Sequence, residues 1–182
     1  MVKLLKAVFL DRDGVINRPI IKKGISYAPT KLKDFRLFPK VKSSIKNLKK
    51  KGYKVFIVTN QPDVSRGKIK KETVVKMHKY LLTKVKPDDI FVCYHDDHDY
   101  CACRKPKPGL LLNAVKKWNI DIKNSYIIGD RWKDIQAGKD AGCKTIFIDL
   151  KYKEMKPKNP DFTTNSLFNA VHFIEKNNYV RN

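Results

Sequence analysis

Residues 6–17 read Lys6-Ala7-Val8-Phe9-Leu10-Asp11-Arg12-Asp13-Gly14-Val15-Ile16-Asn17. A short apolar run, stopped by two carboxylates one residue apart and then by glycine, reads as a buried strand with Asp11 and Asp13 at its carboxyl end. In an open parallel sheet, ligands bind beyond the carboxyl ends of the strands. This stretch therefore decides both the fold and the place of the chemistry. Two carboxylates this close repel by ~4 kcal/mol at 4 Å for an effective dielectric near 20. Either they share a proton or a divalent cation holds them, and oxygen-only ligands favour Mg²⁺.

Working outward, apolar runs at 6–10, 55–58, 90–93, 126–128 and 145–148 read as further short buried strands. Between them, apolar residues recur at three-to-four spacing over 41–51, 71–85, 109–118 and 134–141. Gly52 and Gly142 sit where helix C-terminal glycines belong, and Pro39 and Pro108 near helix starts. Strand–helix alternation of this kind predicts an α/β fold with a doubly wound, Rossmann-like parallel sheet and right-handed crossovers. Two stretches break the alternation: 17–38, read as a long loop or flap, and the polar loop 94–108. Long loops inside a compact α/β domain are more often functional than accidental. A helical pattern at 165–176, after Pro157 and Pro160, is expected to close the sheet's edge.

The chain has 182 residues, 40 Lys plus Arg against 18 Asp plus Glu, and a formal net charge of +22. That length suits one domain, 1–182. With 42% apolar residues the chain can bury a core, and its 8 Gly and 9 Pro show no period, which excludes a collagen-like chain. No window offers the ~20 unbroken apolar residues of a membrane span. Lys6 and the Asp11-Arg12-Asp13 run argue against reading the start as a signal peptide, so a cytoplasmic protein is expected. The lysines are spread along the whole chain, so the charge reads as a solvated surface. Nucleic acid is not the expected partner, whereas a phosphorylated substrate benefits from the same field.

Other strand ends add to the first. Thr59 and Asn60 follow the strand ending at Val58, Asp130 follows Ile127-Ile128-Gly129, and Lys105 lies in the loop entering the helix near Gly109. Nucleophilic and second carboxylates, a hydroxyl, an ammonium and the distal acids Asp130 and Asp134 are what phosphoryl transfer needs. The order DxDG, hydroxyl, Lys, GDxxxD resembles the haloacid dehalogenase-like phosphatases. From about Ala7 to Asp149 the chain is similar to their D-glycero-D-manno-heptose 1,7-bisphosphate 7-phosphatase branch. Phe9–Asn17, Val58-Thr59-Asn60-Gln61, Cys101-Ala102-Cys103-Arg104-Lys105-Pro106-Lys107-Pro108-Gly109 and Ile128-Gly129-Asp130 carry the likeness. Histidinol-phosphate phosphatases share the first and third motifs.

The resemblance implies a Mg²⁺-dependent phosphatase with Asp11 as nucleophile, forming an aspartyl-phosphate, and Asp13 as acid and base. It implies that Thr59 and Lys105 hold the phosphoryl group, and that Asp11, Asp130 and the Asp13 carbonyl bind Mg²⁺ while Asp134 steadies that loop. Arg104 and Arg131 match substrate-contacting positions; Asn60, Ser26 and Tyr27 are further matches. A phosphorylated sugar is the implied substrate.

The loop Cys93-Tyr94-His95-Asp96-Asp97-His98-Asp99-Tyr100-Cys101-Ala102-Cys103 offers three thiolates and an imidazole, a closed tetrahedral set typical of structural zinc. Spacing favours His95 over His98, and the resemblance implies the ligands Cys93, His95, Cys101 and Cys103. Zn²⁺ would brace this loop, 93–103, and so place Arg104 and Lys105. Asp96, Asp97 and Asp99 read as solvated charges, Cys143 as a buried thiol, and His78 and His172 as surface or packing residues. Trp118 reads as core, and Trp132, beside Asp130, as a candidate for the pocket lining. From spacing alone Lys107 could exchange roles with Lys105.

A monomer is expected; the intervals between the motifs leave no room for a large cap domain, so loops 17–38, 61–67 and 93–105 are expected to choose the substrate. The alternatives are a histidinol-phosphate or other small phosphomonoester phosphatase, a DNA 3′-phosphatase, and a non-enzymatic zinc-bearing nucleic-acid binder.

Overall fold

Every residue of β1 (Ala7–Leu10) is buried, because helices cover both faces of the strand. The computed structural model describes residues 4–179. Side chains alternate across the pleat, so Val8 and Leu10 join one core layer while Ala7 and Phe9 join the other. The same division runs through β4 (Lys54–Asn60), with Val55 and Ile57 on one side and Phe56 and Val58 on the other. It recurs in β6 (Tyr126–Gly129), where Tyr126 and Ile128 oppose Ile127.

The first layer is covered by α1 (Val41–Lys50), α2 (Lys71–Val85) and α5 (Leu167–Tyr179). In α1, Val41, Ser44, Ile45 and Leu48 are buried, the spacing of one helical face. Residues of α3 (Gly109–Trp118) and α4 (Trp132–Ala141) pack the second layer. With β5 (Asp89–Cys93), β7 (Lys144–Ile148) and β8 (Phe162–Thr164), the six-stranded sheet runs β5-β4-β1-β6-β7-β8, every pair parallel. The order reverses at β1, which lies between β4 and β6, so the crevice beyond its carboxyl end is the switch point where doubly wound sheets bind ligands.

Three features differ from the reading of the sequence. β4 continues past its apolar run, because Thr59 and Asn60 still pair with Val92 and Cys93 of β5; the two lie inside the strand rather than after it. The flap 17–38 contains an antiparallel hairpin, β2 (Ile20–Lys22) and β3 (Ile25–Tyr27). Its turn residues Lys23 and Gly24 both have positive φ, the pattern of a tight two-residue hairpin turn, with Lys standing where Asn or Asp would have given the signal. β8 was hidden in a Pro-rich tail. It extends the sheet beyond β7, and α5 packs against α1, so the tail closes the edge as expected.

Candidate active site and metal centre

The ladder fixes Asp11 at the mouth of β1: its N–H donates to the Ile128 carbonyl at 2.9 Å. Asp11 is buried, and Lys105 Nζ reaches its Oδ1 at 2.7 Å, Asp134 Oδ1 at 2.5 Å and the Val58 carbonyl at 2.8 Å. Asn60 clamps the lysine from the neighbouring strand end. Its amide donates to the Lys105 carbonyl at 3.0 Å, and its Oδ1 accepts the Lys105 N–H at 3.1 Å. Burial pushes Asp11 up to about 6 despite the attraction of Lys105, which still leaves it ionised at neutral pH. The two acids beside Lys105 hold it above the usual lysine range although burial opposes this.

Asp130 is buried and neither of its carboxylate oxygens has a hydrogen-bond partner. Burial, then the charges of Asp11 and Asp134, push it well above the carboxylate range. Asp11, Asp130 and Asp134 each present an oxygen within 4.8 Å of the others. Three buried acids facing one ammonium leave negative charge that costs several kcal/mol unless a cation offsets it, so the donor set fits an oxygen-ligated divalent ion. Asp134 is already engaged by Lys105 and by the Arg131 N–H (3.0 Å), which leaves Asp130 with both oxygens available. Two glycines allow this crowding: a Cβ on Gly14 (φ +96°) would meet Asp130 Oδ2 at 1.9 Å, and one on Gly129 would meet the Asp134 Cβ at 2.1 Å.

Asp13 sits across the turn with both oxygens engaged. Arg12 Nη2 donates to Oδ1 and Oδ2 at 3.1 and 2.9 Å, Asn17 donates to Oδ1 at 2.8 Å, and Gln61 donates to Oδ2 at 2.8 Å. The same Gln61 amide donates to the Thr59 hydroxyl at 2.9 Å. Thr59, Asp11, Asp13, Asn60 and Lys105 therefore converge as the motif order implied.

A cleft of about 250 Å³ opens over these groups. Hairpin residues Ser26 and Tyr27 line it with Arg104 and Arg131, and Arg66, Lys68 and Lys133 add further cations. Arg104 is held by Asp97 at 2.7 Å. Arg131 donates to the Ser26 carbonyl and lies 3.5 Å from Glu154, whose other oxygen accepts the Ser26 N–H at 2.8 Å. Trp132 lies outside this lining. Lys107 turns back onto the Tyr100 and Cys101 carbonyls, so Lys105 is the lysine at the site.

The cysteine loop forms a tight cluster. Sγ···Sγ distances among Cys93, Cys101 and Cys103 are 3.2–3.7 Å, and His95 Nδ1 lies 3.6 and 3.4 Å from Cys93 and Cys103. A tetrahedral ion with ~2.3 Å sulfur bonds has ligand edges of about 3.8 Å, so the four groups can hold a metal. His98 is not in the set. The reading of Asp96, Asp97 and Asp99 as solvated charges holds for Asp97 and Asp99, which are exposed, whereas Asp96 is half-buried; all three also have polar partners. Arg66 binds Asp96 at 2.8 and 2.5 Å, Asp97 holds Arg104, and Asp99 accepts from Ser65 and the Asp96 N–H. Arg66 and Ser65 come from another loop, which spacing along the chain does not reveal. Sequence reasoning also missed Arg12, Asn17, Gln61, Glu154 and Tyr152; burial and nearby Asp130 push the Tyr152 phenol up.

A family model described as haloacid dehalogenase-like hydrolase matches residues 27–142. The chain therefore belongs to the haloacid dehalogenase-like hydrolase family and is an enzyme of that class. Within it, the chain falls among the D-glycero-D-manno-heptose-1,7-bisphosphate 7-phosphatases. It is 39% identical to the α-anomer enzyme of Campylobacter jejuni over 79% of this chain and 81% of that one. It is 32% identical to the β-anomer enzyme of Escherichia coli K12 over 97% of each. The D,D-heptose 1,7-bisphosphate phosphatase of B. bronchiseptica, solved with magnesium and phosphate, superposes with a TM-score of 0.81 at 25% identity, covering 95% of this chain and 99% of that one.

Proposed function

We propose that the chain is a Mg²⁺-dependent phosphatase that removes the 7-phosphate of D-glycero-D-manno-heptose 1,7-bisphosphate through an aspartyl-phosphate on Asp11. The observation that carries this reading is the buried Asp11–Lys105 pair at the mouth of β1, beside an Asp130 carboxylate that no protein group satisfies. Its relatives' substrates support the choice of sugar. Asp11, ionised at neutral pH, attacks phosphorus. Lys105 and the Thr59 hydroxyl take charge developing on the phosphoryl oxygens. Asp13 gives its proton to the leaving sugar oxygen and then takes one from the water that frees Asp11.

Asp11, Asp130 and the Asp13 carbonyl would hold Mg²⁺, with Asp134 steadying the loop; the ion supplies further neutralisation of phosphoryl charge. Cys93, His95, Cys101 and Cys103 would hold Zn²⁺ with no position left for water, so it braces the loop that carries Arg104 and Lys105. Arg104 and Arg131 receive the second phosphate, and Ser26 and Tyr27 close on the sugar. Asn60 serves through its clamp on Lys105.

The same reading has one phosphatase domain, 1–182, acting as a cytoplasmic monomer with flap 17–38 and zinc loop 93–103 in place of a cap, and without a nucleic-acid partner. No helix among the described residues is long and apolar enough to cross a membrane.

The test is phosphate release, with Mg²⁺, from both anomers of the heptose bisphosphate and from histidinol phosphate. Expected is turnover of a heptose bisphosphate that Asp11→Asn abolishes and that Arg104→Ala and Arg131→Ala weaken. Faster turnover of histidinol phosphate, or arginine variants with unchanged kcat/KM, would overturn the substrate assignment.

A further inference from the structure

We infer that His78, on α2 and outside the cleft, is a positioning residue that aims the Asp13 carboxylate through Arg12. The inference rests on the acid/base reading of Asp13 given above. Arg12 is completely buried, with its guanidinium 5.3 Å from the Phe35 ring centroid. Nη2 makes both contacts with Asp13, and Nη1 lies 2.9 Å from His78 Nε2; Nε has no partner.

A guanidinium only donates. His78 Nε2 must therefore accept, which puts the imidazole proton on Nδ1 and keeps the ring neutral. Burial and the adjacent Arg12 charge agree, lowering His78 to about 4. The imidazole thus fixes one edge of a cation whose other edge fixes Asp13.

The acceptor is needed because Arg12 is fully buried. Without it Nη1 would join Nε as a second unpaired buried donor, a cost of ~1–3 kcal/mol that a rotation of the guanidinium would relieve. That rotation would take Nη2 off Asp13. Asn17 and Gln61 would still hold one oxygen each, so the carboxylate would stay in the cleft but lose its direction. Loss of aim is felt where a proton must reach the leaving oxygen and not where the leaving group departs unaided.

The experiment compares kcat/KM, which reports steps through phosphoenzyme formation, for heptose bisphosphate and for p-nitrophenyl phosphate. The alkoxide leaving group needs the proton and the nitrophenolate does not. We expect His78→Leu to lower kcat/KM for the sugar about 10–100-fold and for the nitrophenyl ester about twofold at most, with His78→Gln, whose amide oxygen can accept from Nη1, restoring most of the loss. If the leucine variant does not fold, His78→Met takes its place in the same comparison. Equal losses on both substrates, no loss on either, or a glutamine variant no better than leucine would overturn the proposal. An Asp13→Asn control that loses both substrates equally would instead sink the acid/base reading, and this inference with it.

Discussion

Lys105 Nζ lies 2.7 Å from Asp11 Oδ1, although 94 positions of chain separate the two residues. The cross-link spans from the segment after the cysteine cluster to the end of β1, and the same ammonium also neutralises Asp134. Replacing Lys105 by Met leaves three buried acids facing one another. We expect kcat/KM to fall at least 10²–10³-fold and stability in chelator to fall by ~3–5 kcal/mol. Urea denaturation with EDTA checks the second figure; unchanged stability would mean that the lysine is not the counter-charge.

In the metal-free protein, the stability that Asp11 and Asp130 contribute should depend on pH in a direction opposite to ordinary acid denaturation. Asp11 is raised from 3.8 to about 6 and Asp130 well above its ordinary value. The folded state therefore binds protons more tightly than the unfolded one, and this contribution is present below about 4 and lost as pH climbs through 6 and beyond. Mg²⁺ added to EDTA-stripped protein should raise Tm more at pH 8 than at pH 5. Equal shifts at the two pH values would contradict the carboxylate assignment.

One zinc per chain is expected, and the two histidines of its loop should behave differently. His95→Ala should lose zinc and activity together, because Arg104 and Lys105 lose their anchor, while His98→Ala should keep the full complement. Metal analysis by mass spectrometry decides. Zinc retained by His95→Ala would remove His95 from the ligand set, and zinc lost from His98→Ala would contradict its exclusion.

Gly14→Ala places a methyl where Asp130 Oδ2 stands and requires φ near +96° of a residue that resists it. Asp130 must then move. Mg²⁺ affinity, read by calorimetry, should drop at least tenfold, while zinc content stays unchanged.

The parts legible in the sequence are those in which local pattern and tertiary role coincide. β1 is apolar on both faces because helices cover both, so Ala7 to Leu10 read as a buried parallel strand and placed Asp11 correctly. The cysteine spacing named the cluster. Arg12, Asn17, Gln61 and His78 were not legible as a group, since the contact of His78 with Arg12 exists only after α2 docks on the sheet. The pairing of Asp96 and Asp99 was not legible because Arg66 and Ser65 approach from 30 and 34 positions away. The hairpin escaped notice because Lys23 precedes Gly24 where a stronger turn former would have marked it.

That hairpin does not stand alone over the cleft. Glu154 accepts from the Ser26 N–H, the Lys153 N–H donates to the Gly24 carbonyl at 2.9 Å, and Arg131 bridges Ser26 and Glu154. The segment after β7 thus acts as the fastening for one wall of the cleft. An engineer who grafts residues 17–38 from a relative with a different appetite would transplant a door without its hinge pins. Segments 17–38 and 150–156 are one exchangeable module, and chimeras that move both should keep their shape where chimeras that move one do not.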